Sequence, residues 1–181
     1  MNNKFKNAYI KYIDSFDKYL QLFLDNDTNL VINTSNEHFA HLVGKGHMPK
    51  YKNIPVKKFI DDIANGVINN DTLLKLNKKE RSIIKKKLKA FDKLTTLLDS
   101  KVINKEMQIS SLVSGDVFIH KVVDNHLFIM ALKRVRSGVL YPTSIMWVDI
   151  KSTKSKKMIA EPSSAIIKIE KHNKFPKNND N

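Results

Sequence analysis

Along the first half of the chain, apolar residues recur at helical spacing. Phe5, Tyr9, Tyr12, Ile13, Phe16, Tyr19, Leu20, Phe23 and Leu24 follow one another at three- and four-residue steps, which predicts an amphipathic helix over 5–24 with one face on a core. After the turn residues Asp25-Asn26-Asp27, the run Leu30-Val31-Ile32 reads as a strand. Thr34, Ser35 or Asn36 can cap a short helix carrying His38, Phe39, His41, Leu42 and Val43, which Gly44 would stop in the C′ position. The polar segment 45–54, with Gly46, Pro49 and Lys52, is expected as an exposed loop. Pro55 suits the first position of a helix reaching Asn65, with Phe59, Ile60 and Ile63 inward and Gly66 ending it. Asn77 with Glu80 three residues on resembles a capping box. It opens a longer helix whose buried stripe is Ile83, Ile84, Leu88, Phe91, Leu94, Leu97 and Leu98.

Beyond Ile109 the pattern becomes extended. Strands are expected over 116–123 and 127–135, joined at Asp124-Asn125-His126 as a hairpin. A turn at Arg136-Ser137-Gly138 leads to a strand over 139–150, which Pro142 marks as an edge, a bulge or a bend. A polar loop over 151–157 and a last strand over 164–170 complete the pattern. Helices followed by four meander strands predict an α+β protein, with N-terminal helices packed on one face of a four-stranded antiparallel sheet. One domain is expected over 1–172, helical over about 4–106 and strand-rich over about 116–171, with a disordered polar tail over 173–181. Neither a GxGxxG turn nor a Walker A loop occurs, so the backbone cradle of nucleotide-hydrolysing folds is missing.

Composition narrows the partners. The 181 residues are enough to bury a core without staples, and the absence of cysteine excludes disulfides and Cys-based zinc sites. No run of about 18 apolar residues occurs and the first residues are polar, so the expectation is a soluble, cytoplasmic protein with no membrane partner. With 32 Lys+Arg against 18 Asp+Glu the formal charge is +14. Such an excess repels itself unless something anionic meets it, and nucleic acid is the first candidate. Lys78, Lys79, Arg81, Lys85, Lys86, Lys87, Lys89 and Lys93 fall on the outer face of the capped helix, as a solvated face or a phosphate-tracking one.

Two clusters carry candidate chemistry. His38, His41 and His47 lie around Gly44 beside Lys45, and His38 and His41, one turn apart, share a helix face. Metal ligation would need a further ligand, and only Glu37 lies near; His41 reads either as a hydrogen-bonded residue under the core or, more sharply, as a general acid or base. The second cluster is Lys133-Arg134 with Arg136, followed by Tyr141-Pro142-Thr143-Ser144, cations and hydroxyls on neighbouring strands able to grip a phosphate. Adjacent strand residues face opposite ways, so Thr143 and Ser144 share a site only if the backbone is distorted.

His-Leu-Val-Gly at 41–44, a helix with Arg81, and Tyr-Pro-Thr-Ser-Ile-Met-Trp at 141–147 together resemble the phage-associated branch of the barnase/EndoU/colicin/RelE-like nucleases, across about 9–170. That resemblance implies a metal-independent endoribonuclease of phage, mobile-element or toxin type, with RNA as partner, an antitoxin or immunity protein as a further one, and no cofactor. By motif match His41 carries over as acid or base, with Thr143 and Ser144 as active-site hydroxyls. Lys133 joins them as a catalytic cation, and Arg81, Lys45, Arg134 and Arg136 are the candidate phosphate or RNA contacts. Ile145-Met146 replace the Phe-Phe of the family pattern.

The chemistry is consistent with these residue types. RNA carries its own nucleophile: a base removes the 2′-OH proton, cations stabilise the phosphate and an acid protonates the departing 5′-oxygen, leaving a 2′,3′-cyclic phosphate. The rival readings are a nucleic-acid-binding protein without catalysis and a phage-encoded inhibitor of a host protein complex.

Overall fold

The computed structural model describes residues 3–16, 18–93, 97, 99–110 and 113–176. Helix α1 (Lys4–Ser15) starts where Asn3 accepts hydrogen bonds from the Phe5 and Lys6 amides, and it buries Phe5, Ala8 and Tyr12. It stops at Ser15, short of the expected Leu24. From Tyr19 the chain is strand β1 (Tyr19–Leu24), which turns Leu20, Leu22 and Leu24 inward. The three- and four-residue steps through Tyr19, Leu20, Phe23 and Leu24 passed over Leu22, whose burial reveals a period of two. As a strand the segment gains a ladder on each edge, with β2 (Asn29–Asn33) and with the last strand β9 (Ser164–His172).

The predicted turn at 25–27 carries Asp27 in the left-handed region (φ 60°). Helix α2 (Asn36–Val43) ends on Gly44 at φ 92°, whose amide bonds the carbonyls of Ala40 and His41. The segment 45–54 is not an exposed loop. A 3-10 turn over 45–47 is followed by Met48, fully buried, and Tyr51, nearly so, because these side chains pin the segment to the core. Helix α3 (Val56–Ala64) is followed by the short α4 (Asn70–Leu74) and by α5 (Lys78–Lys93). The capping box forms: the Glu80 amide bonds Asn77 Oδ1 at 2.9 Å and the Asn77 amide bonds Glu80 Oε2 at 3.1 Å. Leu94 and Leu98 of the expected stripe lie outside the described residues.

Strands begin before Ile109, with β3 (Lys101–Ile103) and the small hairpin β4 (Met107–Ser110) and β5 (Val113–Gly115). The predicted hairpin is β6 (Val117–Val123) and β7 (His126–Arg134), and β8 (Leu140–Asp149) follows. The polar segment after it is a helix, α6 (Thr153–Ala160), because Ser152 caps it and Met158 supplies a buried anchor.

The main sheet has seven strands, not four, in the closed order β1-β2-β8-β7-β6-β3-β9. It is not a meander: β9 leaves β8 and inserts between β3 and β1, which supply the ladder hydrogen bonds that β8 does not. All pairings are antiparallel except β2 with β8.

Both faces of the central hairpin are covered. Val117, Ile119, Phe128 and Met130 share a core with α1, α2, α3 and α5, while Phe118, Leu127 and Ile129 pack with Met107, Ile109 and Met158. Of the expected tail, Phe175 sets its ring edge-on to Tyr19 at 5.7 Å, and 177–181 lie outside the described residues. No helix among the described residues is long and apolar enough to cross a membrane.

One polar group in the covered sheet carries a pH dependence. His120 on β6 is 5% exposed and its Nε2 has no hydrogen-bond partner, so burial and then the Lys101 charge push its pKa down to about 4. The unfolded chain binds more protons than the folded one between the ordinary imidazole value and 4, so this contribution is complete above about pH 6.5 and is lost as pH falls toward 4. In urea unfolding followed from pH 7 to pH 4, His120→Leu is expected to shed less stability than the wild type by roughly 2–3 kcal/mol. Equal slopes for the two proteins would contradict this origin.

Candidate active site

Strand β2 meets β8 at a single position, Ile32 opposite Leu140. From Tyr141 onward that edge of β8 has no strand partner among the described residues, and α2 and α5 pack against the strand. Extended backbone needs hydrogen-bond partners wherever it is shielded from water, and along this edge helices stand where a strand would.

Helix α2 lies with its histidine face on this edge. His38 stacks on Tyr141 (5.6 Å between ring centroids, 25° between planes), and the His41 ring lies near enough to the Thr143 carbonyl for that oxygen to favour its protonation. One helical turn advances about 5.4 Å and two strand residues about 6.7 Å, so a pair spaced three apart on α2 meets a pair spaced two apart on β8.

The strand is distorted there. Ser144 lies opposite Ala131 and Pro142 opposite Leu132, which leaves Thr143 as an extra residue, a β-bulge. Proline has no N–H to give to the ladder, and the Thr143 hydroxyl donates to the Ala131 carbonyl at 3.2 Å. Through the bulge Thr143 and Ser144, neighbours in sequence, both line one groove of about 380 Å³ with His41.

Residues outside the predicted set complete the groove: His47, Lys86, Lys87 and Lys154. Gly44 makes their approach possible, since a Cβ there would lie 2.6 Å from Ile84 Cδ1, 3.1 Å from Lys87 Cδ and 3.6 Å from the His47 ring. Burial pushes the Lys87 ammonium down to about 8. Loss of hydration and then the Lys87 charge hold His41 below the ordinary imidazole value, against an upward pull from the Thr143 carbonyl. His47 is lowered by the same two effects, with Glu80 opposing. Cations and imidazoles crowded in this way await an anion.

The remaining predicted residues are held elsewhere. Lys133 Nζ pairs with Asp116 at 3.2 Å, and the other oxygen of that carboxylate accepts the Arg134 amide at 2.7 Å. The Arg134 guanidinium donates to the Gly138 carbonyl and to Asn104 Oδ1, and Arg136 is exposed in the β7–β8 turn. Arg81 donates to the carbonyls of Leu74 and Leu76, closing the end of α4, and Lys45 Nζ bonds the Lys52 carbonyl at 2.8 Å. Lys133, Arg134, Arg81 and Lys45 are engaged by these partners, and neither they nor Arg136 line the groove. His47 belonged to the histidine cluster and Lys87 to the basic run, but nothing in the sequence singled out one lysine of seven. Among the described residues no three His, Asp or Glu side chains gather as a metal site.

A family model described as phage-Barnase-EndoU-ColicinE5/D-RelE like nuclease4 matches residues 4–179. Neither the curated proteins nor the solved structures give a match.

Lys87 is still protonated across the range in which imidazole titrates, so its charge opposes protonation of His41 there. In an NMR titration, Lys87→Met is expected to raise the pKa of His41; an unchanged or lower value would break the link. Gly44→Ala forces a side chain into the left-handed region and against Ile84. Its expected cost in urea unfolding is about 2–4 kcal/mol, and a loss below about 1 kcal/mol would show that the turn tolerates a Cβ.

Proposed function

The chain belongs to this phage-type nuclease family, and from that premise we propose that the groove is the active site of a metal-independent endoribonuclease. The observation that carries the reading is that His41, His47, Lys86, Lys87, Ser144 and Lys154 line one groove, with the Lys87 charge close enough to lower the pKa of His41. The neutral imidazole carries one ring nitrogen with a free lone pair. A depressed pKa keeps this form populated at neutral pH, which suits a general base.

In the proposed reaction His41 takes the proton from a ribose 2′-OH as the 2′-oxygen attacks the adjacent phosphorus. The P–O5′ bond breaks, and Lys87, protonated at neutral pH and titrating near 8, gives a proton to the departing 5′-oxygen. The products are a 2′,3′-cyclic phosphate and a 5′-hydroxyl. Lys86, Lys154 and the Ser144 hydroxyl are placed to hold phosphate oxygens. The Thr143 hydroxyl, already donating to Ala131, keeps the bulge and so acts by positioning. Lys133, Arg134 and Arg81, engaged by their own partners, take no part in the step.

The test is incubation of labelled RNA with the protein in EDTA, followed by end-group analysis. The wild type is expected to leave cyclic-phosphate ends and to spare DNA, and His41→Ala to cut about 10²–10⁴-fold more slowly. Fragments ending in 3′-hydroxyls, or an equally active His41→Ala, would sink the mechanism. Salt-sensitive RNA binding without cleavage would instead favour a binding protein.

A further inference from the structure

A second depression, of about 610 Å³, opens directly from the groove and shares Lys86, Lys154, Trp147 and Val148 with it. It lies between the exposed face of α5, where Lys89 stands one turn beyond Lys86, and the start of α6. One wall is built from rings. His126 lies parallel to the indole of Trp147, with centroids 5.0 Å apart and 11° between planes. Sheet register sets this stack: His126 is opposite Asp149 and Phe128 opposite Trp147, so His126 and Trp147 are diagonal neighbours on one face. Trp147 is only 6% exposed, whereas His126 is half-buried and lines the depression. The solvent-side surface of the stack therefore belongs to His126.

We propose that this depression is the subsite for a nucleotide flanking the cleaved phosphate in single-stranded RNA, its base stacked on His126 and its phosphate held by Lys89 and Lys154. The inference rests on the nuclease reading of the adjoining groove. A flat ring pair of preset orientation accepts an unpaired base and excludes one still stacked in a duplex. The charges agree: Lys86, Lys89 and Lys154 are exposed cations, and the one carboxylate present, Asp149, already accepts the Lys151 amide at 2.7 Å. Continuity with the groove places a bound base next to the phosphate that His41 would serve, so the pocket would set sequence preference on one side of the cut.

The chain's single tryptophan lies in this wall, so its emission reports occupancy. The full-length protein is titrated with a short single-stranded oligodeoxyuridine, which has no 2′-OH and is not cut, and with an abasic strand of equal length. The wild type is expected to bind the base-bearing strand more tightly. His126→Ala is expected to weaken that strand alone, by roughly 5- to 150-fold, and His126→Phe to restore it with a flat ring. Lys89→Ala is expected to weaken both strands and to reduce the slope of log affinity against log salt by about 0.7.

Equal affinity of the wild type for the two strands, or of His126→Ala and wild type for oligodeoxyuridine, would overturn the subsite. The two readings fail separately. Strand binding that depends on His126, with RNA never cut, keeps the subsite and removes the nuclease. RNA cleavage with binding indifferent to His126 does the reverse.

Discussion

The unpaired edge of β8 is the constraint on which the rest of the molecule turns. A sheet that closes on itself removes its exposed edges, yet β2 reaches β8 at one residue only and then diverges. The carbonyls and amides of the next residues still need partners. Helix α2 covers the edge with side chains in place of a strand: the His41 ring lies beside the Thr143 carbonyl, and His38 covers Tyr141. The packing of α2 on a sheet edge thus brings an imidazole to a definite position beside the strand.

The bulge and the glycine serve the same end. Pro142 cannot donate to the ladder, so the strand spends one extra residue at Thr143, and Thr143 and Ser144 line one groove. On the opposite wall, Gly44 ends α2 at a φ that residues with a side chain rarely adopt and leaves no Cβ between Ile84, Lys87 and His47. Behind it, the rings of Tyr12, Phe39 and Phe91 lie 5.3–6.3 Å apart and join α1, α2 and α5. Offset and edge-on ring pairs are directional, so they hold α5 at the angle that delivers Lys87. The groove gathers like charges whose repulsion shows in its imidazoles: Lys87 and His47 lower the pKa of His41, and Lys87 lowers that of His47, without a carboxylate lining the cavity. An entering phosphate would relieve that repulsion, which is why such a cluster suits an anionic substrate.

Local signals in the chain were decisive where physics is local. The capping box at Asn77 and Glu80, the glycine stop at Gly44 and the turn at Asp124 depend on residues within one or two turns of chain, and each forms where the sequence places it. The β6–β7 hairpin and the family's short motifs, including His41 and the Pro-Thr-Ser segment, were legible for the same reason. Where contacts are long-range, the pattern misled. Residues 19–24 fit a helix until β2 and β9 offered two ladders, and 45–54 looked polar although Met48 and Tyr51 anchor it.

By itself the sequence determined an α+β chain of strong positive charge, its caps and tight turns, and the histidine and hydroxyl motifs that belong together. Only the tertiary structure decided that seven strands close one sheet, that Lys133, Arg134 and Arg81 are spent on local partners, and that Lys87 is the cation brought to His41. A helix caps on its own neighbours, but which lysine of a run faces a groove depends on the packing of that helix. Packing is settled by side chains distant in sequence, such as Tyr12 and Phe39, whose approach no local pattern records.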